Sequence, residues 1–333
     1  MKVVIPLAGK GTRLRPHTHV TPKPLLKVGD KPVMAYIMDD LRELGVHEAV
    51  FITGHLKEKV EAFVNEEYPE FEAHYVEQPV QNGTAGAIEL ARPFIDEDLL
   101  IIFVDTLFDA DLSMVKRMKD VAGVIWAKEV EDYQRFGVIV TDEDGYMERI
   151  VEKPQEPVSK LANIGLYYIR DWKLLFEGID HTLKAPPGKG GEYFLTDAFQ
   201  YMIDHGARIK TASVEGWYDA GKPDTLLTTN AHVLSTTRGK RPPPQDGVTI
   251  HDPVHIADGV TLSDCEIGPN VTISAGATVK RSKLRDTIVN EGASVEGCEL
   301  HDSLVGGAAT LVGVRGQVDV GDDSVVRGEG QAS

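Results

Sequence analysis

Short apolar runs alternate with amphipathic stretches through roughly the first 235 residues of the chain. Lys2–Leu7, Ala49–Thr53, Ala73–Val76, Leu99–Val104 and Gly123–Ala127 are short, apolar and bounded by polar or glycine-rich segments, which predicts strands. Between and beyond them, Val33–Leu44, Lys57–Glu66, Thr84–Ala91 and Leu112–Lys119 carry apolar residues at helical spacing, and a further helix is expected over Glu192–His205. Strand and helix in alternation predict a mostly parallel sheet covered on both faces. In such sheets ligands bind at the carboxyl ends of the strands, where the loops after Leu7 and Val104 fall.

The period then changes. Thr236 to Gly247 is polar and contains three consecutive prolines, Pro242 to Pro244, which predicts an extended spacer. Beyond it, Ile256, Leu262, Ile267, Ile273, Val279, Leu284, Val289, Val295 and Leu300 recur every five or six residues, with glycine and small residues at fixed offsets. One aliphatic per hexad, pointing inward, fits a solenoid of short parallel strands rather than an antiparallel sheet, whose period would be two. The expected organisation is an α/β domain over residues 1–237, a linker over 238–247, the solenoid over 248–326 and a flexible tail over 327–333. The solenoid is expected to serve packing or assembly. Truncation at Arg238 is expected to leave the upstream loops intact.

Composition narrows the function classes. A hydrophobic share of 42% and a charged share of 26% suit a globular protein, and the longest apolar run, Leu99–Val104, is too short to span a bilayer. The N-terminus carries no secretory pattern, and Cys265 and Cys298 are too few and too far apart for a disulfide framework or zinc site. Both cysteines read as buried residues of a reducing compartment, so a cytoplasmic protein is expected. A formal charge of −17 argues against nucleic acid or anionic lipid as partners. His17, His19, His55 and His205 read as loop or helix-end residues.

The cations that matter must therefore be local. Leu7-Ala8-Gly9-Lys10-Gly11-Thr12-Arg13-Leu14-Arg15-Pro16 runs from a strand into a glycine-bearing loop, and Pro22-Lys23-Pro24 follows. Glycines let backbone N–H groups approach phosphate oxygens, Arg13 adds a forked cation and Lys23 a point charge. The dinucleotide fingerprint is absent, since its third glycine would fall on Leu14.

Taken together, these residues resemble the signature of the sugar-nucleotide pyrophosphorylases, the sugar-1-phosphate nucleotidyltransferases. Gln78-Pro79-Val80-Gln81-Asn82-Gly83-Thr84 resembles the family's nucleobase loop. Glu152-Lys153-Pro154 resembles its sugar-phosphate motif, and Asn163-Ile164-Gly165 and Gly191-Glu192-Tyr193 its sugar-hydroxyl contacts. Trp217 to Pro223 resembles the segment carrying a second metal-binding aspartate. The likeness covers roughly residues 1–235, and the hexad tail is similar to that of longer glucose-1-phosphate thymidylyltransferases.

The resemblance implies an α/β fold: a Rossmann-like mixed sheet followed by a short left-handed parallel β-helix. It implies transfer of a nucleotidyl group from a nucleoside triphosphate to a sugar 1-phosphate with release of pyrophosphate; a homo-oligomer is expected from the solenoid's open strand edges, which are usually covered. Glucose-1-phosphate thymidylyltransferase is the leading reading. Mannose-1-phosphate guanylyltransferase and a non-catalytic regulatory subunit are the alternatives. By the same resemblance Arg13 and Lys23 are catalytic; Leu7, Ala8, Gly9, Gly11, Thr12, Gln78, Gly83 and Thr84 bind the nucleotide. Gly137, Glu152, Lys153, Asn163 and Glu192 bind the sugar phosphate, and Asp105 and Asp219 hold Mg²⁺. One departure stands out: Val104 occupies the position before Asp105 where the family usually has glycine, which narrows the space beside that carboxylate.

Overall fold

The computed structural model describes residues 1–236 and 239–328. The expected boundary at 237–238 and residues 329–333 of the expected tail lie outside the described residues. The chain divides into two compact units: Met1–Lys10 with Ile37–Trp217, and Gly11–Tyr36 with Tyr218–Ser333. The Gly-rich loop is thus cut between Lys10 and Gly11, and its second half groups with the solenoid.

The first unit is a nine-stranded mixed sheet. Lys2–Pro6 pairs in parallel with Glu48–Thr53 and Leu99–Ile102, and Glu48–Thr53 with Glu72–Glu77. Leu161–Ile169 runs antiparallel to Leu99–Ile102 and to Gly123–Glu129, and Met147–Glu152 forms an antiparallel edge on Gly137–Thr141. Val3, Val4, Ile5 and Leu99 to Ile102 are fully buried, the continuous apolar reading of a strand covered on both faces. Helices Lys57–Glu67, Thr84–Glu89, Trp172–Lys184 and Leu195–Asp204 supply cover, and the last also serves the sheet edge: Ile150 N donates to Gln200 Oε1 at 2.9 Å.

Two helix expectations change. Leu112–Lys119 forms only a 3₁₀ helix over Leu112–Lys116, begun by Asp111, whose Oδ1 accepts from Ser113 N at 2.9 Å. Its buried residues, Leu112 and Val115, are three apart, which suits three residues per turn, and the segment is too short to sustain an α-helix alone. The helix expected from Glu192 begins at Leu195, because Gly190 and Gly191 take left-handed φ values of 79° and 78° and Leu195 N donates to Thr84 Oγ1.

The second unit is built on a parallel β-helix. Three stacks of strands follow each other around the coil, starting at Val248–Ile250, Val254–Ile256 and Thr261–Ser263, and each coil advances 17 residues at first (265 − 248) and 15 at the end (319 − 304). All nine aliphatics of the hexad series are buried, none above 8% exposed. Cys265 and Cys298 are buried and unbridged within the same core. The proline spacer lies along the first coil: Ile256 N donates to Lys240 O at 2.7 Å, and Arg241 pairs with Asp252.

Gly11–Tyr36 is seated on this solenoid and on helix Pro223–Thr236. Asn230, fully buried, accepts through Oδ1 from Gly29 N at 2.8 Å and from Thr272 Oγ1 at 2.7 Å, while Lys27 pairs with Glu291. Among the described residues no helix is long and apolar enough to cross a membrane.

Candidate active site

In the first unit the strand Lys2–Pro6 ends in Leu7, Ala8 and Gly9. Leu7 N donates to Ile52 O at 2.7 Å, and Gln81 Nε2 donates to Ala8 O at 2.6 Å. Ala8 also packs so closely on Gly54 that a Cβ there would stand 2.8 Å from Ala8 O. The loop is thus pinned up to Gly9, while the space beside Gly9 is open: nothing lies within 4 Å of where its Cβ would be. Pinned backbone beside open space is what an approaching phosphate requires.

The segment resembling a nucleobase loop is ordered by its own side chains. Gln78, 8% exposed, donates through Nε2 to Asn82 Oδ1 at 3.3 Å and Gly83 O at 3.4 Å. Gly83 has φ of 108°, and the volume a Cβ would occupy is filled by the Tyr193 backbone, with the oxygen 2.4 Å away. The glycine is therefore required by the return of the chain at Tyr193, whose N donates to Asn82 O at 2.8 Å.

A second cluster gathers around Gly137. Asn163 Nδ2 donates to Gly137 O at 2.8 Å and Oδ1 accepts from Tyr167 O–H at 2.5 Å. Thr196 Oγ1 donates to Glu152 Oε2 at 3.1 Å, and Lys153 Nζ lies 3.6 Å from Glu152 Oε1 and 4.8 Å over the Phe194 ring. Burial pushes the Glu152 carboxyl above its ordinary pKa, an effect Lys153 and Thr196 oppose. Tyr167 is likewise pushed up, by burial first and then by the charges of Glu152 and Asp105, so these two carboxylates share one buried phenol as neighbour. Lys153 itself has φ of 44°, a conformation a lysine adopts only when its surroundings enforce it. A cavity of about 650 Å³ opens beside Glu152 and Lys153, lined also by Lys189, Phe194 and Gln200. Glu192 is exposed and outside this hydrogen-bonded cluster. Val104 is buried, 5% exposed, and Asp105 follows it at partial exposure.

In the second unit, Gly11 has φ of 59° and opens the 3₁₀ turn Thr12–Leu14, with Leu14 N donating to Gly11 O at 2.9 Å. A Cβ on Gly11 would sit 3.0 Å from Thr18 Cγ2 and 3.1 Å from Lys23 Cβ, so Lys23 is packed against the turn that carries Arg13. Asp219 Oδ1 accepts from Gly221 N at 2.7 Å; a Cβ on Gly221 would lie 2.7 Å from that oxygen and 3.2 Å from Arg13 Nη2. Cation and carboxylate thus flank one small space kept clear by Gly221. No cluster of three or more His, Cys, Asp or Glu side chains suited to a metal is present among the described residues.

The sequence reading passed over Tyr167, Thr196, Gln81 and His17. Tyr167 and Thr196 belong to no motif, Gln81 stands inside the nucleobase-loop motif with no role of its own, and only the fold brings the three to Asn163, Glu152 and Ala8. His17, taken for a loop residue, is 3% exposed and paired with Asp319.

Comparison with known proteins places the chain in a family. A family model described as "Nucleotidyl transferase" matches residues 2–236. The UTP–glucose-1-phosphate uridylyltransferase AglF of Haloferax volcanii is 33% identical over 231 residues, covering 67% of this chain and 93% of its own. The glucose-1-phosphate thymidylyltransferase of Streptomyces antibioticus is 29% identical over 315 residues, covering 87% of each chain. The crystal structure of a UDP-glucose pyrophosphorylase complexed with UDP-glucose superposes with a TM-score of 0.62 at 24% identity, over 71% of this chain and 99% of that one, a likeness of fold.

Proposed function

Since the chain belongs to the nucleotidyl transferase family and is a sugar-1-phosphate nucleotidyltransferase, we propose that it is a glucose-1-phosphate thymidylyltransferase. The observation that carries this reading is the length of the likeness to the Streptomyces antibioticus enzyme, 315 residues, which takes in much of the solenoid as well as the sheet. The identity to the uridylyltransferase, which covers the sheet-bearing part, supports UTP as the second reading.

The reaction follows from charge and position. An oxygen of the sugar 1-phosphate forms the new bond to the α-phosphorus of the triphosphate. The bond from that phosphorus to the bridging oxygen breaks, and pyrophosphate leaves with its electron pair. Phosphoryl chemistry of this kind asks the protein for placement and countercharge. Arg13 meets the charge that grows on the leaving group, and Lys23 the phosphates nearer the reacting centre. Gln78, its Nε2 held by Asn82 and Gly83, is assigned the base edge, with Thr84 following at the head of its helix. Lys153 holds the phosphate of the sugar, while Glu152 and Asn163 accept and donate to its hydroxyls; the adjoining cavity of about 650 Å³ lies within the usual range for a small-molecule site.

Mg²⁺ is the proposed cofactor, with Asp105 and Asp219 as its protein ligands. Their donor chemistry fits: hard carboxylate oxygens, two at most, for an ion that fills its remaining positions with phosphate and water. When bound, the ion supplies neutralisation of the triphosphate charge. A homo-oligomer in the cytoplasm completes the proposal.

A pyrophosphate-release assay across dTTP, UTP, GTP, CTP and ATP against glucose, mannose and N-acetylglucosamine 1-phosphates tests it. The highest kcat/KM is expected for dTTP with glucose 1-phosphate. A higher value for UTP selects the second reading. A preference for GTP with mannose 1-phosphate overturns both.

A further inference from the structure

We propose that the last coil of the solenoid is a positioning element for the phosphate loop, acting through Asp319 on His17. The proposal rests on the reading of Arg13 and Lys23 as phosphate-binding groups.

The connection is short and lies within one compact unit. Asp319 stands in the last coil, on a strand that pairs with Glu299–Val305. Its Oδ1 is 2.6 Å from His17 Nε2. An ionised carboxylate only accepts, so the imidazole donates from Nε2. His17 is buried, 3% exposed, and a polar ring in that position needs this partner. Thr18, the next residue, is 1% exposed, and its Oγ1 donates to Gly11 O at 2.9 Å. The same carbonyl accepts from Leu14 N across the turn that bears Arg13, and Lys23 Cβ packs against Gly11. Asp319, His17, Thr18 and Gly11 therefore form a continuous path from the coil to the base of the two cations.

A second, independent contact runs beside the first. Pro16 lies on Gly321 with no room between them: a Cβ at Gly321 would stand 2.9 Å from Pro16 Cβ and 3.1 Å from Pro16 Cγ. Gly321 shows no left-handed φ, so what it provides is space. The coil thus meets the loop at two adjacent residues, Pro16 by packing and His17 by a hydrogen bond. The ion pair of Glu266 with Lys283, at 2.9 Å, joins one coil to the next and includes no residue of 11–36, which makes it a natural control.

The test is steady-state kinetics on the full chain, with both substrates varied. Asp319→Ala should raise KM for the triphosphate and lower kcat, with a loss of kcat/KM of about tenfold or more, the scale for removing a hydrogen bond to a charged group. KM for the sugar 1-phosphate should stay within twofold. Asp319→Asn keeps an acceptor oxygen and should recover most of the loss. Gly321→Ala, which displaces Pro16 without touching the hydrogen bond, should shift the same triphosphate KM. Lys283→Ala should leave both constants unchanged. A purely structural role would lower the active fraction, reducing apparent kcat and moving neither KM. Wild-type triphosphate KM in both Asp319→Ala and Gly321→Ala, or equal changes in the two KM values, would overturn the proposal. Full activity of Arg13→Ala would instead overturn the reading on which it rests, so the two failures are told apart. Should Asp319→Ala fail to fold, Gly321→Ala and Asp319→Asn carry the decision on the same readout.

Discussion

Replacing Gly137 with alanine tests the sugar-side cluster through one methyl group. Gly137 shows no left-handed φ, so alanine meets no backbone penalty and the effect is purely of volume. The new Cβ would stand 2.4 Å from Asn163 Nδ2, 2.9 Å from Glu152 Oε2 and 2.9 Å from Thr196 Cγ2. All three distances are below what real Cβ atoms show, and the three neighbours are tied by the Thr196–Glu152 and Asn163–Gly137 hydrogen bonds. One methyl must therefore displace the amide and the carboxylate together. Forcing a methylene into a packed site costs about 1–3 kcal/mol, which is roughly a 5- to 150-fold change in an equilibrium or rate. The loss should appear in kcat/KM for the sugar 1-phosphate, titrated at saturating nucleotide in the pyrophosphate assay. KM for the triphosphate should remain within twofold, because Gln78 and Gly83 are untouched. The melting temperature should fall by about 2–4 °C for each kcal/mol that reaches global stability. A folded Gly137→Ala protein with unchanged kinetics toward the sugar phosphate would refute the assignment of this cluster to the sugar.

Three further outcomes follow from the same geometry. Arg13→Ala should lower kcat by about 10²-fold or more with a smaller effect on sugar KM, and activity within threefold of wild type would remove Arg13 from the mechanism. Asp105→Asn and Asp219→Asn should each shift the magnesium activation curve to higher concentration and cut turnover; a variant with the wild-type curve assigns that residue a structural role. Glu152 has a folded-state pKa raised chiefly by burial, so the folded protein binds this proton more tightly than the unfolded chain. Its contribution to stability therefore declines as pH rises through the window between the two pKa values, and the full penalty is present above it. Glu152→Gln should gain melting temperature relative to wild type at pH 7–8 while losing turnover, and the gain should shrink below about pH 4, near the ordinary carboxylate value. A difference that does not grow with pH would exclude this linkage.

Much of the fold was legible because its periods are strong. Helix Val33–Leu44 begins and ends where its apolar spacing says, and the hexad aliphatics from Ile256 to Leu300 all turn inward, because a coil with so small a bore admits no other orientation for them. What resisted reading was local competition and long-range return. Leu112–Lys116 and the delayed helix start at Leu195 were decided by Asp111, by two left-handed glycines and by Thr84, contacts of one or two atoms that periodicity does not register. The candidate site was legible where motifs carry it: Gly9, Arg13, Gln78, Glu152 and Asp219. Tyr167 and Thr196 escaped because a buried Tyr and a buried Thr look like core, and only their hydrogen bonds to Asn163 and Glu152 distinguish them. His17 escaped for a different reason: its partner lies 302 residues away.

That separation also has a meaning in time. On a ribosome the chain emerges from its N-terminus, and at about 5–20 residues per second the wait between His17 and Asp319 is about 15–60 s. The strands of the sheet are all translated before that, whereas the loop bearing Arg13 stays without this contact until Asp319 has been made. A chain whose synthesis stops before Asp319 has every strand of the sheet but lacks the partner of His17. By the role proposed for this tether, full affinity for triphosphate waits on the translation of Asp319.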